Sequence, residues 1–261
     1  MSKKIFFSGT RNLKIIGIAQ ATEQIKNNAG FFTPQPIFDF LQEQQPDILF
    51  LNEGDYETPH ITYAKHEFNN TKFVLFKHSE DKIINNPFDL TLHLKNRKDK
   101  WFVPALVNEN FTNGENEDQY STDILVISDE VETNDITNKW LLSLGQKYRL
   151  KIYGENKLNN PYYLGKLPHS DYKNVFASTK LVVMLNDEWL YTSLANNKIP
   201  VVFDKNETRD YEFSNYSKLN KLCQDGLENF DATLQKIKSN FDLSDKTYLN
   251  FTQKILEEIY K

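Results

Sequence analysis

The chain has 261 residues, 39% hydrophobic and 13% aromatic, which suffices for one large or two modest cores and excludes an intrinsically disordered protein. No window holds the ~20 consecutive apolar residues of a membrane span, and MSKKIFFSGT has no apolar signal core, so a cytoplasmic protein is expected. Net charge is −5; the first hundred residues carry 13 basic and 12 acidic side chains and the remainder 18 and 24, so a polyanion would have to be held by a local patch. The one candidate run is Lys95, Arg97, Lys98 and Lys100. A single Cys223 excludes an internal disulfide and a cysteine-built zinc site.

In chain order, Lys4–Ser8 reads as a short strand that ends in Ser8-Gly9-Thr10-Arg11-Asn12, a turn of the kind that follows the first strand of a nucleotide-binding sheet. Gly9 alone signals only a tight turn, whereas Arg11 is one of four arginines and would stand at a strand's carboxyl end. After Pro34 and Pro36 the apolar spacing predicts a helix over Ile37–Gln44, then a strand over 47–51 and a polar loop holding Glu53, Asp55 and Glu57, which reads as solvated. A strand over 72–76 ends in Lys77-His78-Ser79-Glu80-Asp81. His78 follows a buried run directly, and imidazole is the side chain that changes charge near neutrality, so it is a candidate general base as well as a candidate buried, hydrogen-bonded histidine.

Residues 88–94 and 101–107 read as the last strands of this half, and the polar, glycine-containing segment 109–121 as a linker. A second sheet is expected to begin with a strand over 122–127, a helix over 134–144 and a strand over 148–153 ending at Gly154. Residues 162–204 carry the clearest pattern: a loop punctuated by Gly165 and Pro168, a helix over 171–178 that Ser170 can cap, a buried strand over 181–185, a helix over 187–197, and a buried strand over 199–203. Apolar residues at helical spacing follow over 227–237 and 248–259. Alternation of this kind implies parallel sheets covered by helices, with ligands beyond the carboxyl ends of the strands.

Two α/β halves joined by a linker resemble a GT-B glycosyltransferase: two Rossmann-like domains facing a cleft, with 1–108 on the acceptor side and 122–261 binding a nucleotide-sugar. The resemblance rests on Tyr153-Gly154, then Tyr163-Leu164-Gly165-Lys166-Leu167-Pro168, then 191–202, which ends as a hydrophobic-Pro-Val strand. Gly165-Lys166-Leu167-Pro168 is most similar to the DNA β-glucosyltransferases of T-even phages, and His78 falls where those enzymes carry a catalytic aspartate. The resemblance implies a UDP-sugar donor, the host cytoplasm if the protein is phage-encoded, and transfer to a hydroxyl, such as that of a hydroxymethylated base in duplex DNA held by Lys95, Arg97, Lys98 and Lys100. His78, or failing it Glu80 or Asp81, would deprotonate the acceptor, and Lys166 and Leu167 would border the nucleobase, beyond Gly154. Gly9 and Arg11 would reach the donor from the first domain.

Three positions depart from the pattern. Thr192 stands where a ribose-binding glutamate is expected, Trp189 where the phage enzymes place a phosphate-binding arginine, and Asp129 with Glu130 where a glycine-rich loop would hold the diphosphate. Carboxylates there repel the donor unless Mg2+ or Mn2+ intervenes, or Lys166, Lys198, Arg209 or Arg11 compensates. These departures leave two alternatives to a DNA-modifying transferase: a transferase acting on envelope glycan or protein, and a degenerate, non-catalytic binding module.

Overall fold

The computed structural model describes residues 2–8, 13–25, 27–32, 35–79, 86–94, 99–128, 135–154 and 158–261. The chain divides into two compact units, one formed by Met1–Pro104 with Tyr248–Lys261, the other by Ala105–Thr247.

The first unit is built on a parallel five-stranded sheet. Its elements run β1 (Lys4–Ser8), α1 (Leu13–Gln24), β2 (Asn28–Phe32), α2 (Ile37–Gln44), β3 (Ile48–Asn52), α3 (Thr58–Glu67), β4 (Lys72–Lys77) and β5 (Leu90–His93). The strand order is β2-β1-β3-β4-β5, so the winding reverses between β1 and β3. β3 is buried at every position, as a central parallel strand covered on both faces must be. Phe7 and Phe50 stack at 4.5 Å across β1 and β3, and Phe50 meets Phe76 of β4 at 5.4 Å. α2 and α3 bury Ile37, Phe40, Leu41, Ile61 and Ala64 in one cluster with Leu49, Leu51 and Phe73 of the sheet.

The second unit repeats the same winding. β6 (Ile124–Ile127), α4 (Asp135–Gly145), β7 (Leu150–Tyr153), α5 (Tyr172–Ala177), β8 (Leu181–Met184), α6 (Leu190–Ala195), β9 (Ile199–Phe203) and β10 (Glu212–Phe213) give a parallel sheet of order β10-β9-β8-β6-β7. Its reversal lies between β6 and β8. α7 (Tyr216–Glu228) and α8 (Phe230–Lys238) follow, with Gly226 close over Leu181 and Ile199. The last helix, α9 (Tyr248–Ile259), belongs to the first unit, where Gly17 of α1 lies so close to the Tyr248 ring that a Cβ there would overlap it.

The structure departs from the sequence reading in both halves. Residues 101–107 form no ladder strand; Phe102 and Val107 make single bridges, to His93 and Thr247, while Val103, Leu106 and Val107 are buried along an irregular connection through Pro104. Residues 109–121 lie along α5: Phe111 is buried against Tyr172 and Trp189, and Glu117 accepts from Asn174 Nδ2 while its N–H donates to Ser178 Oγ at 2.8 Å. Ser170 caps no helix; its hydroxyl donates to Asp171 Oδ1 at 2.7 Å, and a short 3-10 turn, His169–Asp171, precedes α5. The helix expected over 187–197 is confined to Leu190–Ala195. Among the described residues no helix is long and apolar enough to cross a membrane.

Candidate functional site

In the second unit the tips of β6 and β7 stand beside the winding reversal, where parallel sheets of this kind leave room for a ligand. A Cβ on Gly154, just past β7, would overlap Ser128 Oγ and lie 2.9 Å from the Ser128 carbonyl carbon, so only glycine lets the two strand ends approach this closely. The chain then returns to β7. Leu164 N–H donates to Ile152 O at 2.9 Å, Tyr163 OH donates to Gly154 O at 2.8 Å, and Gly154 N–H donates to Gly165 O at 3.2 Å. Both polar backbone groups of Gly154 are thereby engaged, and its contribution is its small size.

These bonds fix Gly165, whose φ of +95° in otherwise open space favours glycine for conformation alone. On either side Leu164 is 54% exposed and the Lys166 side chain is exposed, while Leu167 turns into the core. A pinned loop that offers backbone groups, an apolar side chain and a cation at a strand tip suits a planar, polar-edged, anionic ligand.

Trp189 and Thr192 do not line this loop. Trp189 is 4% exposed and stacks on Tyr172 at 4.8 Å, with Phe111 and Phe176 around it. Thr192 is 2% exposed, and its hydroxyl donates to Leu106 O and accepts from Asn108 N–H, both at 3.4 Å. Both side chains pack the core, and their expected donor contacts are corrected accordingly. Lys198 precedes β9, at the amino end of the sheet, and donates to Ala177 O at 3.0 Å; Arg209 donates to Tyr211 OH at 2.9 Å and pairs with Glu212 at 3.6 Å. Neither compensates at the strand tips.

The first unit gathers polar groups at the carboxyl ends of β1, β3 and β4. Asn52 Nδ2 donates to Ser8 Oγ at 2.6 Å and to Ser8 O at 3.1 Å. Glu53 Oε1 accepts from Lys77 Nζ at 2.8 Å and from Ser79 Oγ at 2.6 Å; Oε2 accepts from the N–H groups of His78 at 2.8 Å and Ser79 at 2.6 Å. Burial opposes the Glu53 charge, but the bonds from Lys77, Ser79 and His78 overcome it and hold the carboxyl at about 2. Glu53 is therefore a clamp between β3 and β4 rather than a solvated loop residue or a proton acceptor. The clamp fixes the His78 backbone, and the His78 ring lies with Nε2 3.4 Å from Asn52 Oδ1.

Gly9, Arg11, Glu80, Asp81, Asp129, Glu130, Lys95, Arg97 and Lys98 lie outside the described residues. Lys100, the described member of the basic run, pairs with Glu258 at 3.5 Å and lies 4.9 Å from the Trp101 ring centroid. Sequence reasoning missed Lys77, Ser79, Ser8 and Ser128. A lysine closing the otherwise apolar run of β4 was the available signal, since a charge at that place calls for a partner. Among the described residues there is no group of three or more His, Cys, Asp or Glu side chains able to hold a metal ion.

Two five-stranded parallel units of this winding define a GT-B-like fold of Rossmann-like domains. No protein-family model matches the chain, and no curated protein matches it by sequence. Solved structures match the fold: a UDP-N-acetylglucosamine 2-epimerase at TM-score 0.60 and 12% identity, over 99% of this chain and 96% of that one; S. aureus MnaA solved with UDP at 0.57 and 11%, over 98% and 96%; and Anabaena Alr3699/HepE in complex with UDP at 0.55 and 12%, over 99% and 99%. The expectation of a glycosyltransferase is corrected by this finding. The matching structures include UDP-N-acetylglucosamine 2-epimerases rather than transferases to DNA, and they support neither an envelope-glycan transferase nor a degenerate binding module.

Proposed function

We propose that the chain is an enzyme acting on a UDP-sugar, with the uridine diphosphate at the carboxyl ends of β6 and β7 beside the loop 163–167, and that its reaction is epimerisation at C2 of a UDP-2-acetamido sugar. The observation that carries this reading is the agreement in fold, along nearly the whole chain, with a UDP-N-acetylglucosamine 2-epimerase and with two proteins solved holding UDP. The local geometry supports it. Leu164, 54% exposed, offers an apolar face to a pyrimidine, and Lys166 brings positive charge to the loop.

Inversion at C2 requires the C2 proton to leave from one face while its bonding pair expels UDP from C1, and UDP to add back at C1 as a proton reaches the other face of C2. The test is incubation of the protein with UDP-N-acetylglucosamine in D2O, followed by proton NMR. Appearance of the C2 epimer with deuterium at C2 is expected; a spectrum unchanged over days would overturn the proposal.

A further inference from the structure

The first unit contains a cavity of about 130 Å3 at the carboxyl end of β3, between the sheet, α3 and the approach to β5. Leu51, Leu75 and Ile61 are buried and form its floor, with Phe88 beside them. Its mouth is formed by residues that reach solvent: Gly54, Tyr56 and Thr58. Tyr56 is fixed in place, since its hydroxyl donates to Gln35 O at 2.6 Å. Gly54, at φ +92°, has open space where a side chain would otherwise stand, which leaves the entrance clear.

We infer that this cavity is a binding pocket for a small neutral acyl group with the size and polarity of an acetamido group. Size comes first. An apolar cavity of about 150 Å3 holds a benzene ring, so about 130 Å3 takes the four heavy atoms of an acetamido group and is too small for a whole pyranose with its substituents. Polarity comes second. The floor suits a methyl group, while the Thr58 hydroxyl and the Gly54 backbone at the mouth suit an amide. Charge comes third. The one charged lining residue is Glu53, an anion whose oxygens already accept four hydrogen bonds, so a carboxylate ligand is disfavoured and a neutral one is not. The pocket lies within the first unit, and the inference does not depend on where a nucleotide is held.

The experiment titrates the 261-residue chain, amide resonances assigned, with acetamide, N-acetylglucosamine, glucose and sodium acetate. Acetamide and N-acetylglucosamine are expected to shift the Gly54 and Thr58 amide signals, with glucose and acetate without effect. Ile61→Phe fills the floor and is expected to weaken both ligands roughly tenfold or more without lowering the melting temperature. Thr58→Val, at the half-buried start of α3, keeps the shape and is expected to weaken them several-fold should Ile61→Phe fail to fold. Equal shifts from glucose or acetate, no shifts at all, or shifts that survive both substitutions would overturn the pocket. UDP binding, measured separately, reports on the second unit: UDP binding without acetamide binding sinks this inference alone, and the reverse sinks the nucleotide reading alone.

Discussion

At the scale of single residues, the firmest feature is the pair formed by Lys77, 3% exposed, and Glu53, 31% exposed. A buried ammonium is tolerated only with its partner, so Glu53→Gln should destabilise the first unit by about 3 kcal/mol, the low end for a broken buried pair because Glu53 keeps contact with water. Urea unfolding measures this, and Glu53→Gln with Lys77→Met should recover much of the loss. The pH dependence has a definite sign. The folded Glu53 carboxyl lies at about 2 against an ordinary 4.5, so its contribution is complete above 4.5 and is lost as pH falls from there towards 2. Glu53→Gln should flatten that part of the stability profile. The clamp was hidden in the sequence because Glu53 and Lys77 stand 24 positions apart and meet only through the pairing of β3 with β4.

At the scale of elements, β7 and the loop that returns to it form one device. Gly154→Ala forces a methyl group into Ser128 and should cost about 1–3 kcal/mol by overpacking, with UDP binding weakened as the two strand tips separate. Gly165→Ala meets no neighbour and should cost about 1 kcal/mol through its φ of +95° alone. Thermal melts with and without UDP distinguish the two. This segment was legible because its glycines and Pro168 punctuate apolar runs. β3, β4, β8 and β9 were legible for the same reason, as unbroken apolar runs of strand length. β2 was not: Asn-Ala-Gly-Phe-Phe at a sheet edge is half exposed and lacks a period. The reverse error came at 101–107, where a connector buries apolar side chains without ladder partners and so imitates a strand.

At the scale of the whole molecule, the sequence's division into two parallel α/β halves holds, while the place of its last helix does not follow from order along the chain. α9 returns to the first unit and sets Tyr248 against Gly17. Deleting 248–261 should therefore strip α1 and reduce amide protection across β1 and β3, with β6 and β8 still protected in hydrogen exchange. Periodicity predicts such a helix but cannot say which core will receive its apolar face. Whether uridine diphosphate rests at the tips of β6 and β7 is decided by hydrogen–deuterium exchange with saturating UDP, which at a hundred times its Kd adds about 2.7 kcal/mol. Slowed exchange concentrated in residues 152–154 and 158–168 is expected. Binding of UDP with protection confined to other segments, or no protection at all, would contradict it.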